Sequence, residues 1–202
     1  MPPATPTQPL ASSPPTRASL TPRRITVEEY ERIIASGSLD EPKKVELIDG
    51  YMATKMAKSA EHGFSIKEVL KALERTLPPG WTWRQEQPAR FPAYDEPEPD
   101  VAIVRGDDAD YRHRIPEAGD VALLVEVSAT NVSADRQQAN LYGRAGVPAF
   151  WIVNLVDRWV EVYTDPGPSG YASRTDYPSG RRVPVMIDGR QAGQIAVDDI
   201  LP

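Results

Sequence analysis

Residues 121–127 read VALLVEV, an apolar run interrupted by a single acid, Glu126. A run this apolar is typical of a β-strand that is covered on both faces of its sheet. An ionised carboxylate in such a strand destabilises the fold unless a cation or hydrogen-bond donors neutralise it. The run therefore predicts the central strand of an α/β sheet and a functional site at Glu126. The alternative for this residue alone is a carboxylate at a strand end that pairs with a surface arginine.

The segments around this strand alternate between helical and extended patterns, which predicts an α/β domain. Thr26 and Glu29 stand at capping-box spacing and predict the start of a helix, while Asp49-Gly50 predicts a hairpin turn. Residues 105–119 are polar and looplike, and residues 164–202 are expected to form loops and short edge strands. The predicted helices span residues 26–34, 60–77 and 133–145, and the predicted strands span 45–52 (as a hairpin), 81–91 (one long strand or a pair), 99–104, 149–154 and 158–163.

Residues 1–24 differ from the rest of the 202-residue chain in composition. They are rich in Pro, Ser and Thr and contain no acid, so we expect a disordered tail followed by one domain over residues 25–202. The tail lacks the apolar core of a secretory signal, and no run in the chain is apolar enough to span a bilayer. We therefore expect a soluble, cytoplasmic protein that does not bind membranes. A homodimer is a further expectation. If the tail docks on the folded protein, we expect it to do so in that dimer.

The chain has no cysteine and a net charge of −6. Disulfides and thiolate metal sites are therefore excluded, and any metal needs oxygen ligands or histidine. An acidic domain is a poor nonspecific binder of nucleic acid, because duplex affinity comes largely from neutralised phosphates. The lysines between residues 43 and 71 could form a local basic strip, or they could be an ordinary solvated surface.

Two carboxylates fall at the ends of neighbouring predicted strands. Asp100 starts one strand and Glu126 lies near the end of another. Together with a backbone carbonyl such as that of Val127, they would form an oxygen cage suited to Mg²⁺ or Mn²⁺. A metal in such a cage lowers the pKa of a bound water and neutralises charge on a phosphoryl oxygen. The helix that follows would place Gln138 and Tyr142 on one stripe, with Tyr142 buried and its hydroxyl lining the site.

Several short motifs occur in order along residues 25–202, and together they resemble the Uma2 family of restriction-endonuclease-like proteins, within the PD-(D/E)XK nuclease superfamily. Each motif is weak when it is taken alone, but the ordered series is specific. The matching segments are 26–30 (TVEEY), 45–50 (VELIDG), His62, Pro99-Asp100, 125–128 (VEVS), Asp135-Arg136, Tyr142, 145–148 (AGVP) and 150–153 (FWIV).

The resemblance implies a restriction-endonuclease-like fold, a mixed sheet flanked by helices. It also implies a metal-dependent endonuclease that hydrolyses phosphodiester bonds of nucleic acid, most readily DNA, with Asp100 and Glu126 as metal ligands. Glu46 would assist as a ligand or by positioning water, although the residues alone equally allow a solvent-facing strand position. His62 would approach the phosphate or Glu46, and its alternative interpretation is a buried histidine near a helix start.

One position departs from the family pattern. The superfamily lysine lies two residues after the strand acid, where this chain has Ser128. In this family the lysine lies four residues before the tyrosine, where this chain has Gln138. Glutamine can hydrogen-bond a water or a phosphate oxygen, but it carries no charge to stabilise a transition state.

Other residues could supply the missing charge. Lys55 and Lys67 are candidates from elsewhere in the chain, and Arg136 or Gln137 could face the site if the register of the helix differs. Two functions stay open at this stage. One is an endonuclease in which Gln138 replaces the lysine. The other is a catalytically impaired relative that acts as a nucleic-acid-binding or protein-interaction module.

Overall fold

A computed structural model describes residues 22–39, 45–55, 58–91 and 93–202. Most of the predicted disordered tail lies outside these ranges, which contain three α-helices and ten β-strands. The helices are α1 (Val27–Ala35), α2 (Ala60–Glu74) and α3 (Val132–Arg144). The strands are β1 (Val45–Ile48), β2 (Tyr51–Thr54), β3 (Trp81–Gln85), β4 (Val101–Arg105), β5 (Val121–Ser128), β6 (Ala149–Asn154), β7 (Trp159–Gly167), β8 (Gly170–Pro178), β9 (Arg182–Ile187) and β10 (Arg190–Ala196).

Six strands form one mixed sheet in the order β3-β4-β5-β6-β7-β8. β5 and β6 run parallel and are joined by α3, and the other neighbours are antiparallel. Every residue of β5 is buried, as its apolar sequence predicts. The hairpins β1–β2 and β9–β10 are separate two-stranded sheets. The predicted α/β fold with a mixed sheet flanked by helices is therefore confirmed.

Different elements pack on the two faces of the sheet. On one face, α2 and the hairpin β9–β10 pack on the sheet, with side chains such as Leu73 and Val185 against Val125. On the other face, α3 packs through residues such as Tyr142 against Phe150. Full burial of one such aliphatic or aromatic side chain stabilises the fold by about 1.5–3 kcal/mol.

Local signals placed most of the other elements correctly. Thr26 Oγ1 accepts from the Glu29 N–H at 3.3 Å, and Glu29 Oε2 accepts from the Thr26 N–H at 3.0 Å, which is the predicted capping box of α1. Asp49 and Gly50 both have positive φ, as a tight hairpin turn requires. The ends of α2 and α3 differ by one to three residues from the prediction.

Two strand predictions are wrong. β3 ends at Gln85, because Glu86 has a φ of 50° and Pro88 has no N–H to donate, so the strand predicted as far as residue 91 stops early. Residues 164–202 form longer strands than expected. β7 continues to Gly167, and β8 is a nine-residue edge strand whose exposed polar side chains give little burial signal. Its backbone pairing with β7 holds it in place.

Two residues of the predicted tail contact the folded domain. Arg23 forms an ion pair with Glu29. The Nε of Arg24 donates to the backbone oxygen of Asp49 at 2.6 Å, and its guanidinium lies 4.0 Å from the centroid of the Tyr94 ring. Within the described ranges, no helix has the combination of length and apolar character needed to cross a bilayer.

Candidate functional site

Asp100 directly precedes β4, and Glu126 lies near the end of the neighbouring strand β5. Val101 pairs with Val125, so the two acids stand side by side where the strands meet the cleft. The Asp100 N–H donates to Glu126 Oε2 at 3.3 Å. The structure thus brings together the two acids that the sequence singled out.

Asp100 is buried but well supplied with hydrogen-bond donors. Its Oδ2 accepts from the Val127 N–H at 2.8 Å and lies 2.9 Å from His62 Nε2, while its Oδ1 accepts from Lys58 Nζ at 2.6 Å. Burial alone would raise the pKa of Asp100, but the hydrogen bond from His62 and the charge of Lys58 lower it overall. Asp100 is therefore held ionised. The resemblance implied that His62 approaches the phosphate or Glu46, and in the structure its protein partner is Asp100.

Glu126 has the opposite electrostatic environment. Its Oε1 accepts from the Tyr142 hydroxyl at 3.0 Å, and Tyr142 is fully buried, as predicted. Burial raises the pKa of Glu126 well above its usual value, and the negative charges of Asp100, Asp135 and Glu46 raise it further. A cation placed among these carboxylates would reverse this effect, because it favours the ionised form.

These residues line one cleft of about 330 Å³. Glu46 on β1 faces the cleft and is half-buried, and its Oε2 accepts from the Glu98 N–H at 3.0 Å. Burial raises the pKa of Glu46 above its usual value. The solvent-facing alternative for Glu46 is therefore not what the structure shows. The predicted site residues that line the cleft are Glu46, His62, Asp100, Glu126, Val127, Ser128 and Gln138.

The cleft contains more acids than bases. Lys55 forms an ion pair with Glu98, and Lys58 contacts Asp100 and Glu86. Lys67 is exposed on α2 and does not line the cleft. Two lysines thus face five carboxylates, which are Glu46, Glu98, Asp100, Glu126 and Asp135. The role of Lys58 at Asp100 was not predicted, and the sequence contains no periodicity that would have placed this lysine there.

Three buried polar atoms around the cleft have no hydrogen-bond partner among the described residues. They are Oε1 of Gln138, Oγ of Ser128 and Nδ1 of His62. Buried polar atoms in folded proteins are nearly always satisfied by protein or by water. Three orphans at one cleft are therefore consistent with a site that binds water or a ligand.

The donor set suits a hard cation with several waters. Within the described ranges, no three His, Asp or Glu side chains are arranged to hold a metal ion by themselves. Mg²⁺, however, is usually bound by one or two carboxylates and keeps several waters. Asp100 and Glu126 supply two carboxylates, and the excess of negative charge in the cleft favours such an ion. The residues present therefore fit a magnesium-type site.

A second polar network fixes α3 to the sheet. Glu161 on β7 is fully buried and accepts from Arg136 on α3 at 3.0 Å (Nε) and 2.5 Å (Nη2). It also accepts from Trp159 Nε1 at 3.1 Å and from the Tyr163 hydroxyl at 2.8 Å. Burial alone would raise the pKa of Glu161, but these donors lower it to about 2. Arg136 is thus committed to Glu161, and it does not replace the missing lysine at the cleft.

A mixed sheet with paired acids at adjacent strand ends, flanked by helices, defines a restriction-endonuclease-like protein. The family model Uma2, described as "Putative restriction endonuclease", matches residues 27–191, and the chain belongs to this family. The predicted family resemblance is therefore confirmed.

The fold is similar to a solved structure as well. This is a crystal structure described as a "putative nuclease belonging to DUF820" from Anabaena variabilis ATCC 29413. The TM-score is 0.65 at 16% sequence identity, and the match covers 87% of this chain and 97% of that chain. Likeness at this identity concerns the fold alone. A search of curated proteins found no match to the chain.

Proposed function

We propose that this protein is a metal-dependent endonuclease that hydrolyses phosphodiester bonds of nucleic acid, with DNA as the expected substrate. The observation that carries the proposal is the pair of buried carboxylates, Asp100 and Glu126, that line one cleft at adjacent strand ends in a family of nuclease type. Lys58 and His62 already stabilise the charge of Asp100, whereas Glu126 lies among negative charges that raise its pKa. A cation bound between the two acids would offset this repulsion, which supports a metal-binding role.

Asp100, Glu126 and the carbonyl oxygen of Val127 would hold the ion, which we expect to be Mg²⁺ or Mn²⁺. When bound, such an ion lowers the pKa of a coordinated water and neutralises charge on a phosphoryl oxygen. The chain's own residues keep the two acids in place. Val127 and His62 orient Asp100, and the Tyr142 hydroxyl orients Glu126. Glu46 faces the same space and is suited to position water.

Lys58 supplies the positive charge that Gln138 cannot provide. Burial alone would lower the pKa of Lys58, but the charges of Asp100 and Glu86 raise it, so the side chain stays protonated at neutral pH. The side chain is 37% exposed, which allows it to reach a phosphate oxygen at the mouth of the cleft. Gln138 lines the same cleft, and its unsatisfied Oε1 is available to accept a hydrogen bond from water.

The test compares wild type with Glu126→Gln and with a control, Glu74→Gln, which changes an exposed acid on α2 outside the cleft. Labelled single- and double-stranded DNA and RNA are incubated with each protein in Mg²⁺, Mn²⁺ or EDTA. We expect cleavage by wild type and by the control that EDTA abolishes, and none by Glu126→Gln. Calorimetric titration with Mn²⁺ should show binding that Glu126→Gln weakens. Cleavage that persists in EDTA or in Glu126→Gln would refute the proposal.

The second candidate function is a catalytically impaired relative that acts as a nucleic-acid-binding or protein-interaction module. The observation in its favour is Gln138, which stands where the family lysine is expected and carries no charge. This function takes precedence if wild type cleaves none of the four substrates with either ion. Binding of the same labelled substrates in EDTA then separates a nucleic-acid module from a protein-interaction module.

The cytoplasmic location and the homodimer both stay predictions. Sedimentation analysis of the full chain would measure the oligomeric state.

A further inference from the structure

A second recess, of about 500 Å³, lies beside β3 and is rich in arginine. We call it the arginine recess and define it by Arg84, Arg90, Tyr111, Arg112 and Arg114. The exposed side chain of His113 adds another basic group at its edge. Two acids, Glu31 and Glu117, also line the recess, so in a chain of net charge −6 its four arginines outnumber its lining carboxylates two to one.

Two of these arginines are neutralised by acids and two are not. Arg90 forms an ion pair with Glu28 at 2.7 Å, and Arg114 forms one with Asp120 at 2.5 Å. Among the described residues, no carboxylate lies within ion-pair distance of Arg84 or Arg112, and the buried Nε of Arg84 has no acceptor.

This imbalance points to an anionic ligand. Burial lowers the pKa of Arg84, and the charge of Asp108 nearby offsets only part of this effect. A half-buried guanidinium without an acceptor is unfavourable for the fold. An anion in the recess would satisfy it.

Two of the guanidinium groups form cation–π contacts with the aromatic ring of Tyr111. Their central carbons lie 5.2 Å (Arg84) and 4.6 Å (Arg114) from the ring centroid, and Tyr111 itself is buried. Cation–π contacts of this kind restrain long side chains that would otherwise move freely. Restrained guanidinium groups present a planar fork of donors that matches the oxygens of a phosphate. The recess therefore has a preformed geometry for a phosphate group.

The end of β3 links the arginine recess to the cleft that contains Asp100, although the two share no lining residue. Arg84 pairs across the sheet with Ala102, which is two residues from Asp100. Glu86 lies two residues beyond Arg84, and its carboxylate contacts Lys58 at 2.5 Å. Two residues span at most about 7 Å of backbone. A polyanion that follows the end of β3 would therefore contact both the cleft and the recess.

We propose that the arginine recess binds backbone phosphates of the nucleic acid whose scissile bond lies in the cleft. This inference rests on the proposed function. It explains how an acidic domain retains a polyanion, because the cations that neutralise phosphates are concentrated beside the acidic cleft and not within it. Of the lysines considered from the sequence, Lys43 and Lys44 lie outside the described residues, and none of the others lines the recess. Lys55 and Lys58 are paired with acids, and Lys71 pairs with Glu68.

The test measures binding without cleavage. Fluorescence anisotropy in EDTA follows a labelled 20-mer, single- or double-stranded, at several salt concentrations. The double variant Arg84→Gln/Arg112→Gln is compared with wild type and with the control Arg181→Gln/Arg190→Gln, which removes two exposed arginines of the β9–β10 region. We expect the recess variant to bind about tenfold more weakly, and the slope of log K against log salt to flatten by about 1.5, since each lost phosphate contact contributes about 0.7–0.9. The control should match wild type.

A charge reversal of an exposed residue, Arg112→Glu, guards against misfolding and should weaken binding in the same direction. Equal affinity and equal salt slope for wild type and all recess variants would overturn the inference, while metal-dependent cleavage by wild type would leave the proposed function intact. If wild type binds no oligonucleotide and cleaves none, both fail together. If Arg84→Gln/Arg112→Gln loses affinity and its thermal unfolding also changes, while Arg112→Glu binds like wild type, the loss is due to misfolding and the inference is overturned.

Discussion

The buried carboxylate of Glu161 should make the protein sensitive to acid, and Glu161→Gln should remove this sensitivity. The pKa of Glu161 is about 2 in the folded protein, against an ordinary value of 4.5. Because one pH unit of difference corresponds to about 1.4 kcal/mol, the ionised side chain contributes about 3 kcal/mol to the free energy of unfolding. A lowered folded-state pKa means that this contribution is complete above pH 4.5. It is lost progressively as the pH falls towards 2.

The assay is urea unfolding of wild type, Glu161→Gln and the exposed control Glu74→Gln at pH 6, 5, 4 and 3. Protonated Glu161 and glutamine are nearly isosteric, so the difference between wild type and Glu161→Gln should shrink as the carboxylate is protonated. We expect this difference to be about 3 kcal/mol at pH 6 and about 1.4 kcal/mol at pH 3. The control should follow wild type throughout. A difference that stays constant with pH would show that the donors from Arg136 and Tyr163 do not hold Glu161 ionised.

Further expectations concern the site, the packing of α3 and the tail. Gln138→Lys should keep the fold and raise metal-dependent cleavage about tenfold in initial-rate assays, which corresponds to about 1.4 kcal/mol of transition-state stabilisation. The same substitution should restore activity to a slower Lys58→Gln variant. No gain in either background would mean that position 138 does not face the phosphate. Gly143→Ala should lower stability by about 1–3 kcal/mol in urea unfolding, since a Cβ there would lie 2.7 Å from the Cα of Gly170. Deletion of residues 1–21 should leave the melting temperature within about a degree or two, because this composition offers little to pack; a larger drop would reveal docking.

The central strand and its acid could be predicted because their signals are local. The apolar sequence of β5 predicts that the strand is buried, and Glu126 is the one acid within it. Asp100 was harder to place, because its position beside Glu126 depends on the pairing of β4 with β5. The ordered motifs supplied that pairing indirectly, through the fold that they imply. The edge strand β8 was missed because its side chains are largely exposed, so its stability comes from backbone pairing that leaves no apolar pattern.

Lys58 and the arginine recess could not be predicted, because both depend on how distant segments meet. Lys58 precedes α2, and its partner Asp100 lies forty-two residues further along the chain. No repeat or spacing links the two. Arg84 and Arg112 likewise come from β3 and from the polar segment that follows β4. The net charge of the sequence indicates only that the protein is acidic. The separation of the acidic cleft from the arginine recess becomes visible only in the folded structure.

The hairpin β9–β10 has a consequence for the order of events during synthesis. Its residues Val183, Val185 and Ile195 complete the core on the α2 side of the sheet, together with Leu201. The strands beneath include β7 and are finished only at Gly167, so one face of the nascent sheet is still incompletely covered while the remaining residues are translated, roughly 2–7 s at ordinary elongation rates. During that interval the valines of this face and Trp151 lack the cover that the hairpin provides. A chain truncated and released after residue 178 should therefore be prone to aggregation.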